Sequence, residues 1–203
     1  MLRPLFPVLM VVFLPGCASI SALTSASERL EIYELQSPQI AGLGGRRGAV
    51  ELVIEEPSAS GALNTDRILI RPTPLQAQYL PGVRWADPAP QMLQTLLLRS
   101  LTETGAFQSV GRRPIGSIGD FAVLTELTEF GARPLGPEVE QAQVEIRVMI
   151  RLVRERDATV IASRSFAATA ITNGTEADAI VSGFNRATFD LFAEIVPWLV
   201  SAT

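Results

Sequence analysis

The sequence predicts an α+β fold in which a mixed, largely antiparallel sheet carries helices packed on one face. Three observations lead to this class. Many short segments have the composition of strands, two longer segments repeat apolar residues at helical spacing, and the strand-like segments occur in runs. Runs of strands with few intervening helices are typical of α+β domains, in which the helices cover one side of the sheet.

The region before the first helix is predicted to form short strands. Each is rich in apolar or aromatic residues and is followed by turn-forming residues such as proline or glycine. The predicted strands cover residues 32–35, 50–55, 67–71 and 76–85, and Pro81 and Gly82 interrupt the last of them.

A helix is predicted to start at Asp87 and Pro88. Aspartate caps helix starts with its side chain, and proline is tolerated in the first turn because no amide is needed there. Gly105 is well placed to end the helix. The apolar stripe between these ends consists of Met92, Leu93, Leu96, Leu97 and Leu101.

The second half is predicted to contain the clearest strand and the last helix. Strands are predicted over 107–110, 121–130, 141–153 and 159–169. Residues 141–153 alternate apolar with charged or polar side chains, which indicates a half-buried antiparallel strand. The last helix covers 176–200; Phe189 and Val196 lie off its main stripe, and Pro197 is expected to disturb its final turns.

The N-terminus has the features of a lipoprotein leader. Arg3 gives a positive start, and an apolar run of about ten residues, too short for a membrane span, leads to Gly16 and Cys17. We predict a signal peptide over residues 1–16, acylation of Cys17, a flexible tether over 17–29 and a single periplasmic domain over 30–203. Ala18, in place of an aspartate, favours anchoring in the outer membrane.

The composition argues against an enzyme. All 17 basic residues are arginines, there is no histidine, and Cys17 is the only cysteine. These absences exclude histidine-based triads, Schiff-base lysines and cysteine-based zinc sites. A hydrolase that uses carboxylates alone remains an alternative. We expect no catalytic residue, no cofactor and no metal, and the net charge of −4 argues against a nucleic-acid partner.

Several motifs resemble the ABC-type transport auxiliary lipoprotein family. The most specific is Arg-Trp-Ala-Asp-Pro at residues 84–88, although Ala89 follows it where family members often have leucine. Tyr33, the segment 66–72, Tyr79 and the leucine-rich helix add to the resemblance. It implies an auxiliary component that accompanies an ABC permease and ATPase and an MCE-domain protein. Such systems move lipids or hydrophobic compounds across the envelope.

The function implied is therefore that of an anchored tether or docking component. The alternative is a standalone envelope lipoprotein that stabilises an outer-membrane assembly or cell-wall complex. Cys17 is the predicted lipid attachment site, through which the protein binds the bilayer. Trp85, Phe189 and Val196 are candidate partner contacts, with burial in the core as the alternative for each. Exposed apolar surface would also allow a homo-oligomer.

Overall fold

The computed structural model describes residues 30–40, 48–113 and 119–203. All helices and strands given below belong to one unit, Glu31–Thr203. The predicted signal peptide, Cys17 and the tether lie outside the described residues. In the part of the chain that the structure describes, no helix combines the length and apolar character needed to cross a membrane.

The described residues form ten strands and two helices. The strands are β1 (Glu31–Tyr33), β2 (Glu51–Ile54), β3 (Ser58–Ala59), β4 (Leu69–Thr73), β5 (Gln76–Tyr79), β6 (Val83–Trp85), β7 (Ser109–Gly111), β8 (Phe121–Pro134), β9 (Ala142–Arg154) and β10 (Thr159–Ile171). The helices are α1 (Ala89–Thr104) and α2 (Ala177–Ala202).

Eight strands form one mixed sheet. Its main order is β10-β9-β8-β2-β7; β3 and β4 also pair with β8, and β5 pairs with β4. The long strands β8, β9 and β10 are antiparallel, whereas the parallel pairings are more numerous but span only one to three residues each. Strands β1 and β6 form a separate parallel pair. The predicted α+β class with a mixed sheet is confirmed.

Both helices pack on the apolar side of this sheet. Strand β9 buries every second residue, and its remaining side chains are more exposed, as its alternating sequence predicts. Helix α2 packs against β9 and β10, while α1 packs against β2, β7 and α2. The core therefore lies between the helices and one face of the sheet. The buried residues of β9 on this face are Ala142, Val144, Ile146, Val148, Ile150 and Leu152.

Helix α2 buries a wider stripe than its large apolar residues indicate. Gly183 lies in the buried face, and a Cβ added there would lie 2.8 Å from Cγ2 of Thr172 and 2.9 Å from Cγ2 of Val144. The helix therefore approaches the sheet closely. Val196 is fully buried, at 0% exposure. The prediction that Val196 lies off the buried stripe is wrong, because small residues extend that stripe around the helix.

The helix ends correct the predicted cap of α1 and extend the predicted end of α2 by two residues. Helix α1 begins at Ala89, and no side chain makes a capping hydrogen bond there. The prediction that Asp87 caps this helix is therefore wrong. Gly105 does end α1, with a left-handed φ of 66°. Helix α2 continues through Pro197 to Ala202, because a proline removes one hydrogen bond while the buried Leu199 still holds the final turn on the core.

Candidate docking surfaces

Trp85 lies at the centre of the fold. Its ring centroid is 5.9 Å from that of Phe130 and 5.2 Å from that of Phe184, and those two rings are 4.7 Å apart. We call these three residues the central aromatic cluster. Trp85 is 0% exposed, and its indole N–H has no hydrogen-bond partner among the described residues. Trp85 is thus a core residue, and the fold offers none of its surface to a partner.

The residues around Trp85 hold its strand in place. The Trp85 amide donates to the carbonyl oxygen of Asp66 at 2.7 Å, and Nη1 of Arg84 donates to Oδ2 of Asp66 at 2.9 Å. Both interactions tie β6 to the segment that precedes β4. The Arg-Trp motif at residues 84 and 85 therefore has a structural role in this fold.

Of the two helix residues predicted as partner contacts, Phe189 alone keeps exposed surface. It is half-buried, whereas Val196 is enclosed in the core. A single half-buried ring is far smaller than the roughly 800 Å² per partner that a stable interface buries. Phe189 by itself does not define a docking surface.

Strand β10 forms one edge of the sheet. Among the described strands it pairs only with β9, so its other side presents a row of backbone N–H and C=O groups. Its 13 residues include no proline or lysine, and Arg164 is its single charge. Ser163, Ser165 and Ala167 are small and exposed, and a bulge lies between Val160 and Ala162. Such an edge suits the addition of an extended strand from another chain.

A second aromatic contact lies beside this edge. The rings of Phe166 and Trp198 meet nearly edge to face, with centroids 5.3 Å apart, and we call them the edge aromatic pair. The Arg164 guanidinium lies 4.7 Å from the Phe166 ring centroid and 3.7 Å from Oε2 of Glu194. Arg164 and Glu194 are both about half exposed, so they border the edge with opposite charges.

Four of the eight large apolar residues that are exposed in the described part of the chain lie at one end of the sheet. They are Leu75 (101% exposed) in the β4–β5 turn, Leu135 (44%) and Val139 (43%) in the β8–β9 loop, and Ile171 (45%) at the end of β10. We call this set the apolar end. Pro74 and Pro134, which directly precede Leu75 and Leu135, line one cavity of about 310 Å³. The turn and the loop therefore lie side by side.

The opposite end of the sheet is charged. Arg113 lies 2.5 Å from Glu55 and also contacts Glu155, which joins the regions after β7, β2 and β9. The hydrogen bond to Glu55 and the charges of both glutamates raise the pKa of Arg113. A cavity of about 490 Å³ opens beside these residues. Among the described residues, no group of acidic side chains is arranged to hold a metal.

Strand β1 is hydrogen-bonded to the first turn of α2. The Tyr33 hydroxyl lies 2.6 Å from Oδ1 of Asp178 and 3.0 Å from Oε2 of Glu31, and it donates its single proton to one of them at a time. The hydrogen bond to the Asp178 carboxylate is the main reason that the pKa of Tyr33 is raised. The Gln36 amide also donates to Oδ1 of Asn185, so the chain follows α2 from its first turn.

Known proteins share both this sequence and this fold. A curated relative, an uncharacterised protein of Bradyrhizobium diazoefficiens, is 28% identical over 173 residues, which cover 84% of this chain and 45% of that relative. The chain therefore spans about half the length of the relative. A crystal structure of a protein from Xanthomonas campestris has a TM-score of 0.76 and 25% identity, covering 84% of this chain and 95% of that one.

A second crystal structure, of an uncharacterised protein, shares the fold at a TM-score of 0.62 and 17% identity, with 84% of this chain and 98% of that one covered. The sequence profile of the family described as ABC-type transport auxiliary lipoprotein component matches residues 33–196. That match extends from the first strand to the last helix. The chain belongs to the ABC-type transport auxiliary lipoprotein family.

Proposed function

We propose that this protein is the outer-membrane-anchored docking component of an MCE-type ABC transport system that moves lipids or hydrophobic compounds across the envelope. In this proposal the signal peptide over residues 1–16 is removed and Cys17 carries acyl chains. The folded domain faces the periplasm and binds the MCE-domain protein. It thereby links the permease and ATPase complex to the outer membrane. The protein itself performs no catalysis.

The unpaired edge of β10 is the observation that carries the docking role. A partner strand added there would satisfy the free backbone groups of a 13-residue strand. The exposed side chains of Ser163, Ser165 and Ala167 are small enough to let another backbone come close. The occupant that fits this edge is an extended segment of the MCE-domain protein. Anchoring adds to the affinity by raising the local concentration of the domain near that partner.

The absence of catalysis is proposed from the chemistry of the chain. No histidine or lysine is present in its sequence, and the two closest glutamates at the charged end, Glu55 and Glu155, are both ion-paired with Arg113, which lies between them. A carboxylate-based glycosidase needs instead two facing carboxylates about 5–10 Å apart.

Photo-crosslinking in the native envelope tests the docking role. We expect a photoreactive amino acid at Ala167, on the β10 edge, to crosslink to an MCE-domain protein. The matched control is the same replacement at Ala77, an exposed alanine in β5. Ala77 should give no such product, because its edge strand has only four residues and lies in another part of the sheet, beside β4.

The other outcomes separate the alternatives. Crosslinks from Ala167 to a second copy of the chain would assign the edge to a homo-oligomer. Crosslinks only to outer-membrane assembly or cell-wall proteins would favour the standalone envelope lipoprotein. Equal yields from Ala167 and Ala77 would refute docking through β10.

A further inference from the structure

We infer that the apolar end of the domain inserts into the bilayer that holds the acylated Cys17, so that the sheet stands on the membrane with its charged end pointing away. This inference rests on the proposed lipidation of Cys17. It does not depend on the identity of the transport partner.

The turns at the two ends of the sheet differ in chemistry, although Leu124 (40%) and Val160 (52%) are exposed near the charged end as well. At the apolar end, Leu75 is completely exposed at the tip of a turn, and Leu135 and Val139 are exposed in the adjoining loop. At the other end, the turn between β9 and β10 is formed by Glu155, Arg156, Asp157 and Ala158. Isolated turns that point leucines outward are suited to an apolar surrounding, whereas a turn with three charges is suited to water.

The N-terminal strand β1 begins near the apolar end of the sheet. Thr172 donates its amide to the Ala142 carbonyl at 2.8 Å, so Ile171 lies next to the start of β9. Helix α2 begins a few residues later, and Asp178 in its first turn binds Tyr33 of β1. Glu31, the first residue of β1, therefore lies on the same side of the domain as the exposed apolar residues.

The length of the tether fits this orientation. Fourteen peptide links separate Cys17 from Glu31 in the sequence. If these links form the flexible tether predicted from the sequence, their average end-to-end distance is about 20 Å. The sheet is longer: Phe121 and Pro134 are 13 positions apart along β8, or about 40 Å. Under the anchoring proposal, such a tether would keep the end of the sheet nearest Glu31 close to the bilayer.

Charges set the depth of insertion. The single charge of the β4–β5 hairpin, Leu69–Tyr79, is Arg71, which lies four residues before the turn leucine and is paired with Glu129, so Leu75 at the tip can enter the acyl region. Glu138 and Glu140 flank Val139 and hold that loop at the level of the headgroups, because a carboxylate is costly to move into hydrocarbon. A bilayer is the occupant that fits separate protruding tips, whereas a protein partner would need a continuous surface between them.

Site-specific fluorescence tests this orientation in the full-length lipidated protein, reconstituted in vesicles of phosphatidylethanolamine and phosphatidylglycerol. Cys17 is the sole cysteine, and a lipid thioether blocks it, so an introduced cysteine is the single labelling site. Leu75→Cys carries an environment-sensitive nitrobenzoxadiazole label. The matched control is Val160→Cys, since Val160 is also exposed (52%) but lies at the charged end.

We expect the label at Leu75 to shift its emission to shorter wavelength and to lose intensity when nitroxide-labelled lipids are included in the vesicles. The label at Val160 should show neither change. Equal quenching at both sites, or none at either, overturns the inference. If the parent protein without an added cysteine takes up label, Cys17 is not acylated, and both the anchoring proposal and this orientation fail. If the parent stays unlabelled but Leu75 is not quenched, the anchoring proposal stands and the orientation alone is wrong.

Discussion

The chain has two tryptophans, and their surroundings differ. Trp85 belongs to the central aromatic cluster, where rings from β6, β8 and α2 meet without any solvent exposure of the indole. Trp198 belongs to the edge aromatic pair and is half-buried beside the free edge of β10. The first cluster joins β6, β8 and α2, whereas the second packs α2 against β10, with Phe166 buried (2% exposed) and Trp198 partly exposed. An aromatic residue in the sequence therefore does not by itself indicate whether its side chain lies in the core or at the surface.

The strongest test of this comparison is Trp85→Ala. We expect it to lower the free energy of unfolding by about 3–5 kcal/mol, because it removes a fully enclosed ring and leaves a cavity between Phe130 and Phe184. Chemical denaturation of the detergent-solubilised full-length protein measures this loss. A loss below about 1 kcal/mol would show that the cluster does not join the layers as described.

Trp198→Ala should have a smaller effect on stability. We expect a loss of about 1–2 kcal/mol, since part of the Trp198 side chain is already exposed to water, whereas Trp85 is fully enclosed. The same denaturation experiment gives the value, and the photo-crosslinking yield at Ala167 gives a second readout. If Trp198→Ala costs as much as Trp85→Ala, the edge aromatic pair is part of the core, and the distinction between the two tryptophans fails.

The smallest effect is expected for Arg164→Gln. Its ion pair with Glu194 is long and half exposed, and pairs of this kind contribute about 0–1 kcal/mol. We expect an unfolding free energy close to that of the unmodified protein and a decreased crosslinking yield at the edge. A large loss of stability with unchanged crosslinking would assign Arg164 to the fold and not to the docking border.

The long antiparallel strands and both helices could be predicted from the sequence because their patterns are local. Strand β9 alternates apolar and polar residues over its full length, and the apolar stripe of α1 ends at Gly105. The parallel pairings could not be predicted in this way, since β2 and β8 are joined by only three residue pairs from distant parts of the chain. Strand β3 has two residues and therefore carries no periodicity.

The candidate surfaces were harder to predict than the fold. The sequence around Trp85 is compatible with both a core position and a partner contact, because its burial depends on Phe130 and Phe184, which are remote in sequence. The buried stripe of α2 includes Gly183 and other small residues, which a pattern of large apolar residues does not reveal. That pattern therefore predicts Val196 outside the stripe, although it is buried. One signal for the apolar end was present in the sequence: Leu75 follows Pro74 in a turn where a polar residue is usual.

The parallel pairing of β1 with β6 has a consequence for the order in which the domain assembles. Glu31 is paired with Val83 and Tyr33 with Trp85, so β1, the first of the described strands to be synthesised, must wait for about fifty further residues before its partner is available. The hairpins of β8, β9 and β10, in contrast, close between neighbouring segments. During passage across a membrane in the N-to-C direction, β1 would remain unpaired and open to chaperones and proteases until residue 85 had emerged. Strands β2 and β3 wait longer still, for β7 and β8, so the first three strands all remain unpaired until distant segments have been made.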